Sequence, residues 1–373
     1  MRLTRLRVVQ FRNHARTELL PGPGINLLVG ANAEGKSTLL EAVQLAATGR
    51  SHRSRADLEL IRWGETWARV RVQTARAARD EEIDVGLRSN LAGTSPGHAV
   101  KEFRVNGVPV RRGDVFGHLL AVTASPIDEL IVTGSPAYRR RLLDLLLSQL
   151  SPAYYYAAQR YARVLVQRNQ LLRARRAQEL DPWDEQAAAL GATVISRRRD
   201  AVQRLAASAA AIYARLCGGR EDLTVEYLPA VSGGTEEELF GQAMEAFRVR
   251  RAAELARGAT MVGPHRDDLR LLLDGRELRL FGSRGQQQMT MLAVRLAERQ
   301  LLAEVTGEQP VLLLDDVLMA LDEQRQQFLL EHLADGQSLV TVTTLATLLV
   351  SPPHAAIFAI AGGTVEARRA HTP

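Results

Sequence analysis

"GANAEGKSTLLEAV", residues 30–43, decides the fold. Gly30, Gly35, Lys36 and Ser37 stand at the spacing GxxxxGK[ST], the template of a phosphate-cradling loop. "INLLV" ahead of it reads as a short buried strand. Behind it Leu39, Leu40, Val43 and Ala47 recur at helical spacing. Strand, glycine loop and helix is the context that gives the template its chemistry, because a helix N-terminus presents free N–H groups and a positive dipole end to an anion. The loop then comprises Gly30, Ala31, Asn32, Ala33, Glu34, Gly35, Lys36, Ser37 and Thr38. Its N–H groups from Ala33 to Thr38 face a β-phosphate, Lys36 reaches the β- and γ-phosphates, and Ser37 Oγ binds Mg²⁺. ATP and Mg²⁺ are the expected ligands.

The rest of the composition sharpens that reading. The 373 residues are 46% hydrophobic and 24% charged, ordinary for a globular protein with an ample core. Net charge is +6, which favours polyanionic partners weakly, since acids are abundant too. Lys36 and Lys101 are the only lysines among 48 cations, so arginine stands wherever either residue would serve. A lysine retained inside the glycine loop is therefore chemically required: a compact ammonium enters where a planar guanidinium does not. Cys217 is the sole cysteine, which excludes an intramolecular disulfide and a Cys-rich metal site. No apolar run approaches the roughly 18 residues of a membrane span, and "MRLTRLRVVQFRNH" lacks the apolar stretch of a secretory signal. A cytoplasmic protein with no membrane association is expected.

Along the chain, "RLTRLRVVQF", "WARVRVQTA" and "EEIDVGLRS" alternate as strands. Asn106-Gly107 and Asp274-Gly275 mark two-residue hairpins, and Thr94–Gly97 reads as an exposed turn. From Ser135 the pattern is helical, with a break at Pro152 and Ser151 as helix cap, a second helix from about Trp183 to Leu216, and a third after "LTVEYL". The expected fold is α/β, a phosphate-loop core sheet plus an antiparallel β subdomain with an inserted helical lobe. Its parts are 1–125 and 259–373 for the head and 126–258 for the lobe.

"VLLLDD", Val311 to Asp316, reads as a strand buried on both faces that ends in two acids. Asp315 is expected to hold Mg²⁺ through water and Asp316 to polarise the attacking water. "GSRGQQQ", Gly282 to Gln288, opens a helix about thirty residues upstream; Ser283 can also simply cap it by bonding the Gln286 N–H. This segment resembles the L-S-x-G-Q signature of ABC-type ATPases. The resemblance implies that Ser283, Arg284, Gly285 and Gln286 cap the γ-phosphate held by a second subunit, in an ATP-dependent homodimer.

Within that class the chain resembles the RecF family over most of its length. "FRNH" (Phe11–His14), "LLEAVQLAATGRSHR" (Leu39–Arg53), "SPIDELIVTGSPAYRRRLLD" (Ser125–Asp144), "VGPHRDDL" (Val262–Leu269) and "LLLDDV…LD" ending at Leu321 and Asp322 carry the resemblance. It implies an ABC ATPase head with a short helical lobe, slow ATP hydrolysis, and binding to gapped or junction DNA without sequence preference. It also implies RecR as partner and, through it, RecO and the loading of RecA in recombinational repair and replication. Two positions depart from the family pattern: Ala33 replaces a glycine, which requires a negative φ, and Met319 replaces a small polar residue ahead of Leu321 and Asp322. His52 and His265 sit in family motifs as candidate sensors of nucleotide or DNA. Arg139, Arg140, Arg141, Arg173, Arg175 and Arg176, among the arginines crowding the helical lobe, are candidates for a DNA-backbone track, or equally a solvated helix face. A transporter subunit is the competing class. It would carry a histidine after the last core strand, where "TVTTL" has Thr343 and Thr344; a stand-alone kinase would have no use for Ser283–Gln286.

Lys36→Arg is expected to weaken ATP binding although charge is kept, because the guanidinium does not fit the loop as a point charge. Titration with labelled ATP measures it, and unchanged affinity together with an unchanged ATPase rate removes Lys36 from the site.

Overall fold

The computed structural model describes residues 1–54, 56–76, 79–90, 99–352 and 354–368; the turn read at Thr94–Gly97 lies outside them. By contacts the chain divides into Met1–Asp128 with Glu298–Pro373, and Glu129–Ala297. The boundaries at 125/126 and 258/259 therefore differ from this division. Residues 259–297 group with the helical lobe, because the strand at Asp268 pairs with one at Leu223 rather than with the head.

The first unit holds two sheets. β1 (Arg2–Phe11), β2 (His14–Leu19), β4 (Trp67–Ala75), β5 (Asp80–Ser89), β6 (Ala99–Val105) and β7 (Val108–Val110) form an antiparallel sheet in the order β2-β1-β4-β5-β6-β7, with β3 (Ile25–Val29) lying outside it. β3 belongs to the core sheet β15-β14-β3-β13-β12-β8, with β8 (Ala121–Ala124), β12 (Val311–Leu314), β13 (Ser338–Val342), β14 (Ala356–Ala361) and β15 (Thr364–Arg368). All core pairings are parallel except that of β15 with β14. α1 (Lys36–Thr48) packs on both sheets and is buried at every position but Ser37. Helix α9 (Glu323–Leu333) starts at Asp322, whose side chain accepts from Arg325 N.

The second unit is built on α2 (Glu129–Thr133), α3 (Pro136–Leu150), α4 (Pro152–Arg173), α5 (Asp181–Cys217) and α6 (Glu236–Arg257). A small sheet, β11-β10-β9, completes it with β9 (Leu223–Leu228), β10 (Asp268–Leu273) and β11 (Arg276–Glu277), followed by α7 (Leu278–Phe281) and the start of α8 (Arg284–Thr306). Local signals in the sequence explain the ends. Ser151 accepts from Tyr154 N, Thr235 and Glu238 form a capping box, and Asn106-Gly107 and Asp274-Gly275 take positive φ as hairpin turns require. Strands β2, β8 and β15 have weak signals of their own and exist through their partners.

The interior of this unit is held by arginines. Arg168 is fully buried and donates to Asp184 at 2.6 Å, Glu254 at 2.7 Å and Thr260 at 2.8 Å, with its guanidinium 4.3 Å from the centre of the Phe247 ring. Arg198 is buried on Asp144, Asp267 and the Pro264 carbonyl. Arg139, a candidate for the DNA track, is buried too. It makes a two-pronged pair with Asp268 and donates to the carbonyls of Ile131 and Gly134, so it is not available to a phosphate backbone. Arg140 donates to the Asp267 carbonyl. Arg173, Arg175 and Arg176 are exposed, Arg176 pairing with Glu179.

Removing one partner of a buried pair leaves the other charge stranded. Arg168→Ala is expected to destabilise the protein by about 3–5 kcal/mol, read as a lower urea midpoint, far more than Arg163→Ala on the exposed side of α4.

Candidate functional site: a nucleotide-binding loop

Gly30 leaves β3 where a side chain is impossible, since a Cβ there would lie 2.2 Å from the Ile360 carbonyl oxygen. The loop crest, Ala31 to Ala33, is exposed. Gly35 has φ 108 and caps α1; a Cβ on it would strike His14. Two outside segments brace the loop. Gly363 N donates to the Glu34 carbonyl at 3.2 Å and Gly362 N to its carboxylate, while the ring nitrogens of His14 face the carbonyls of Gly363 at 2.8 Å and Gly35 at 3.1 Å. Ala33 takes φ 67, so the expectation of a negative φ is corrected: the alanine is held left-handed where glycine would be relaxed, at about 1–2 kcal/mol.

Lys36 Nζ donates to the carbonyls of Gly30 at 2.8 Å and Ala31 at 2.9 Å, so its charge lies along the inner wall of the loop. Ser37 Oγ donates to Asp315 Oδ1 at 2.6 Å. Two hard oxygen donors thus meet across 278 residues of sequence, a fit for Mg²⁺, which takes one or two protein oxygens and completes its shell with phosphate and water. Among the described residues no group of three or more His, Cys, Asp or Glu forms a fuller metal site. Thr341 on β13, fully buried, accepts from Asp316 N at 2.8 Å and donates to Asp315 Oδ1 at 2.9 Å, holding both acids. Asp316 has φ 54, and burial together with the neighbouring Asp315 raises its pKa, as suits a group that accepts a proton. Sequence reasoning passed over Thr341; its only signal is a polar residue in the middle of an apolar strand.

The motifs flanking the loop converge on α1. Glu41, fully buried, receives a two-pronged bond from Arg12 at 3.0 and 2.7 Å and the hydroxyl of Ser51. Arg12, Asn13, Thr38, Arg53 and Trp63 line a cleft of about 980 Å³ beside the loop, and Trp63 is 99% exposed. At the other end of α1, Lys101 donates to the Gly49 carbonyl at 3.0 Å and Arg112 to that of Thr48 at 3.2 Å, cations at the negative end of the dipole. Both His52 ring nitrogens are buried without a protein partner, and burial lowers its pKa to about 4, against the pull of Glu41 and Asp315.

The signature residues belong to the second unit. There Ser283 and Gln286 form a reciprocal cap, Gln286 N to Ser283 Oγ at 3.3 Å and Ser283 N to Gln286 Oε1 at 2.7 Å, and Gln286 is anchored on Glu221 at 2.5 Å. Ser283, Arg284 and Gly285 remain exposed. His265 accepts from Tyr161 OH at 2.7 Å and donates to the Thr260 carbonyl at 3.1 Å; burial lowers its pKa to about 4. It is half-buried in that unit. Leu321 is buried; Met319 is exposed, touched by the Thr343 hydroxyl.

Fold and site define the head of an ABC-type P-loop ATPase. The chain belongs to the RecF family: the model described as RecF/RecN/SMC N terminal domain matches residues 2–357. Relatives called DNA replication and repair protein RecF are 38% identical in Heliobacterium modesticaldum (94% of each chain) and 40% identical in Chloroflexus aurantiacus (90% of this chain, 92% of the relative). The solved structure of a recombination mediator protein RecF with ATP superposes with a TM-score of 0.89 at 31% identity, covering 98% of this chain and 97% of that one. The Pyrococcus furiosus Smc head shares the fold at 14% identity and a TM-score of 0.57, covering 98% of this chain and 95% of that one.

A histidine whose folded pKa is depressed binds its proton more readily when unfolded, so stability falls as pH drops from about 6.5 towards 4. The melting temperature is expected to decrease between pH 7 and 5, and His52→Asn with His265→Asn to flatten that dependence; scanning calorimetry across the range checks both.

Proposed function

We propose that this protein is an ATP-switched DNA-binding protein of recombinational repair and replication. It closes as a homodimer on ATP, binds DNA near single-strand/double-strand junctions, and through RecR and RecO helps load RecA in the cytoplasm. The observation that carries the reading is the joining of Ser37, Asp315, Thr341 and Asp316 at the mouth of the glycine loop, in a chain that also presents an exposed, capped Ser283. The names of the relatives and the ATP-bound RecF neighbour support it. Lys36 neutralises the β- and γ-phosphates, and Ser37 with Asp315 holds Mg²⁺. Asp316 accepts the proton of the attacking water, one methylene further away than a glutamate would be. Hydrolysis is accordingly slow and DNA-stimulated, a timer rather than a motor. The cleft at Arg12, Asn13 and Trp63 accommodates the nucleoside. The hydroxyl and first N–H groups of α8, from Ser283 to Gln286, meet the γ-phosphate bound by the other copy, and twofold symmetry makes two such sites.

Ser283→Arg is expected to bind ATP as the unmodified chain does, yet neither dimerise nor hydrolyse it, whereas Asp316→Asn accumulates ATP-bound dimers. Sedimentation with ATP decides it: if Ser283→Arg dimerises normally, the shared site is wrong, and if the unmodified chain itself stays a monomer with ATP, a monomeric phosphoryl-transfer enzyme is the better reading.

A further inference from the structure

The inner face of the antiparallel sheet packs Leu6, Val8, Val70, Val72, Ile83, Val85 and Leu87 against the core, so alternation turns the other set of residues outward. That outer set is rich in arginine, with Glu18, Glu82, Asp84 and Glu102 standing among the cations. In cross-strand register Arg7 lies opposite Arg71, Arg71 opposite Asp84, and Asp84 opposite Arg104. The next row runs Arg16, Val9, Arg69, Gly86, Glu102, and beyond it Trp67 faces Arg88. Like charges placed directly opposite weaken a sheet. Here they are kept, with Asp84 gathering Arg69 and Arg71 and Glu18 gathering Arg5 and Arg7. Two clefts, of about 670 and 270 Å³, run along this face and share Arg69; the larger reaches Arg88 and Arg104, the smaller Arg7, Arg16 and Arg71. Arg16, Arg88 and Arg104 are exposed and form no ion pair among the described residues.

We propose that this sheet face docks the sugar-phosphate backbone of duplex DNA. The inference rests on the DNA-binding reading above and gives it a location in the head rather than in the helical lobe, where Arg139, Arg168 and Arg198 are internal. Guanidinium forks on a rigid sheet match phosphate oxygens in pairs and carry no sequence information. A single strand would need a row of aromatic side chains on which bases stack, and among the described residues the outer face offers only Trp67, at one edge and 42% exposed.

The test measures affinity for a blunt random-sequence duplex against salt, with ATP, for the full chain and for a triple variant Arg16→Ala, Arg88→Ala, Arg104→Ala. Removing one phosphate-binding arginine reduces the log–log slope by about 0.9, so the triple variant is expected to flatten it by about 2–3 while ATP affinity stays unchanged. Glu102→Gln removes a negative charge from the same row and is expected to tighten binding. The same alanine changes at Arg173, Arg175 and Arg176 should leave the slope where it was. A triple variant with the unmodified slope, or a flattening that follows the Arg173 set instead, overturns the location and leaves the DNA-binding reading standing. An unmodified chain that binds no DNA overturns that reading itself. Binding confined to single-stranded DNA or to RNA, abolished by the triple variant, overturns the duplex assignment.

Discussion

β3 is hydrogen-bonded on both sides by strands that the chain supplies only at its far end, β13 from Ser338 and β14 from Ala356. Everything at the site depends on that closure. It brings the Ile360 carbonyl against Gly30, the Gly362–Gly363 turn against Glu34, and Thr341 against the two acids that follow β12. A parallel sheet needs crossovers, and between β8 and β12 the crossover is long enough to contain the entire second unit. The loop of a nucleotide site is therefore only as well formed as a pairing made across most of the sequence.

Backbone strain follows the same geometry. Ala33 and Asp316 both sit at positive φ, a conformation that costs a residue with a Cβ about 1–2 kcal/mol. Each is flanked by ties from elsewhere: Glu34 to the β14–β15 turn, and the Asp316 N–H to Thr341. Strain persists where the surroundings over-determine it, and of the eight non-glycine residues at positive φ among those described, one lies in the loop and one is the residue proposed to activate water. The burial of α1 adds to the effect. With Lys101 and Arg112 at its C-terminal carbonyls, its dipole is satisfied at one end and left open to an anion at the other.

A chain that writes nearly all its cations as arginine uses them in two ways. In the second unit Arg139, Arg168 and Arg198 are interior braces, as Arg168 is among the Asp184 and Glu254 carboxylates and the Thr260 hydroxyl, while Arg173, Arg175 and Arg176 are exposed. On the outer face of the first unit's sheet they stand at alternate positions with acids gathering only some of them. The residue type is the same; burial and the nearest acid separate the roles.

The sequence by itself determined what is local. Glycine spacing and the flanking apolar runs define the strand, loop and helix around Lys36, and the two Asn-Gly and Asp-Gly pairs define hairpins. Ser151, Thr235 and Ser283 define helix starts, because capping and φ preferences act within three or four residues. Tertiary structure alone decided which polar groups meet. Thr341 reads as one more β-branched strand residue until β13 lies beside β12, and Arg139 looks like Arg140 until Asp268 closes on it. The extent of the helical lobe is settled in the same way: β10 finds its partner in β9, a choice written in no local pattern. Partners, burial and strain at Ala33 are set by pairings between residues far apart in the chain, and those exist only once the sheets have closed.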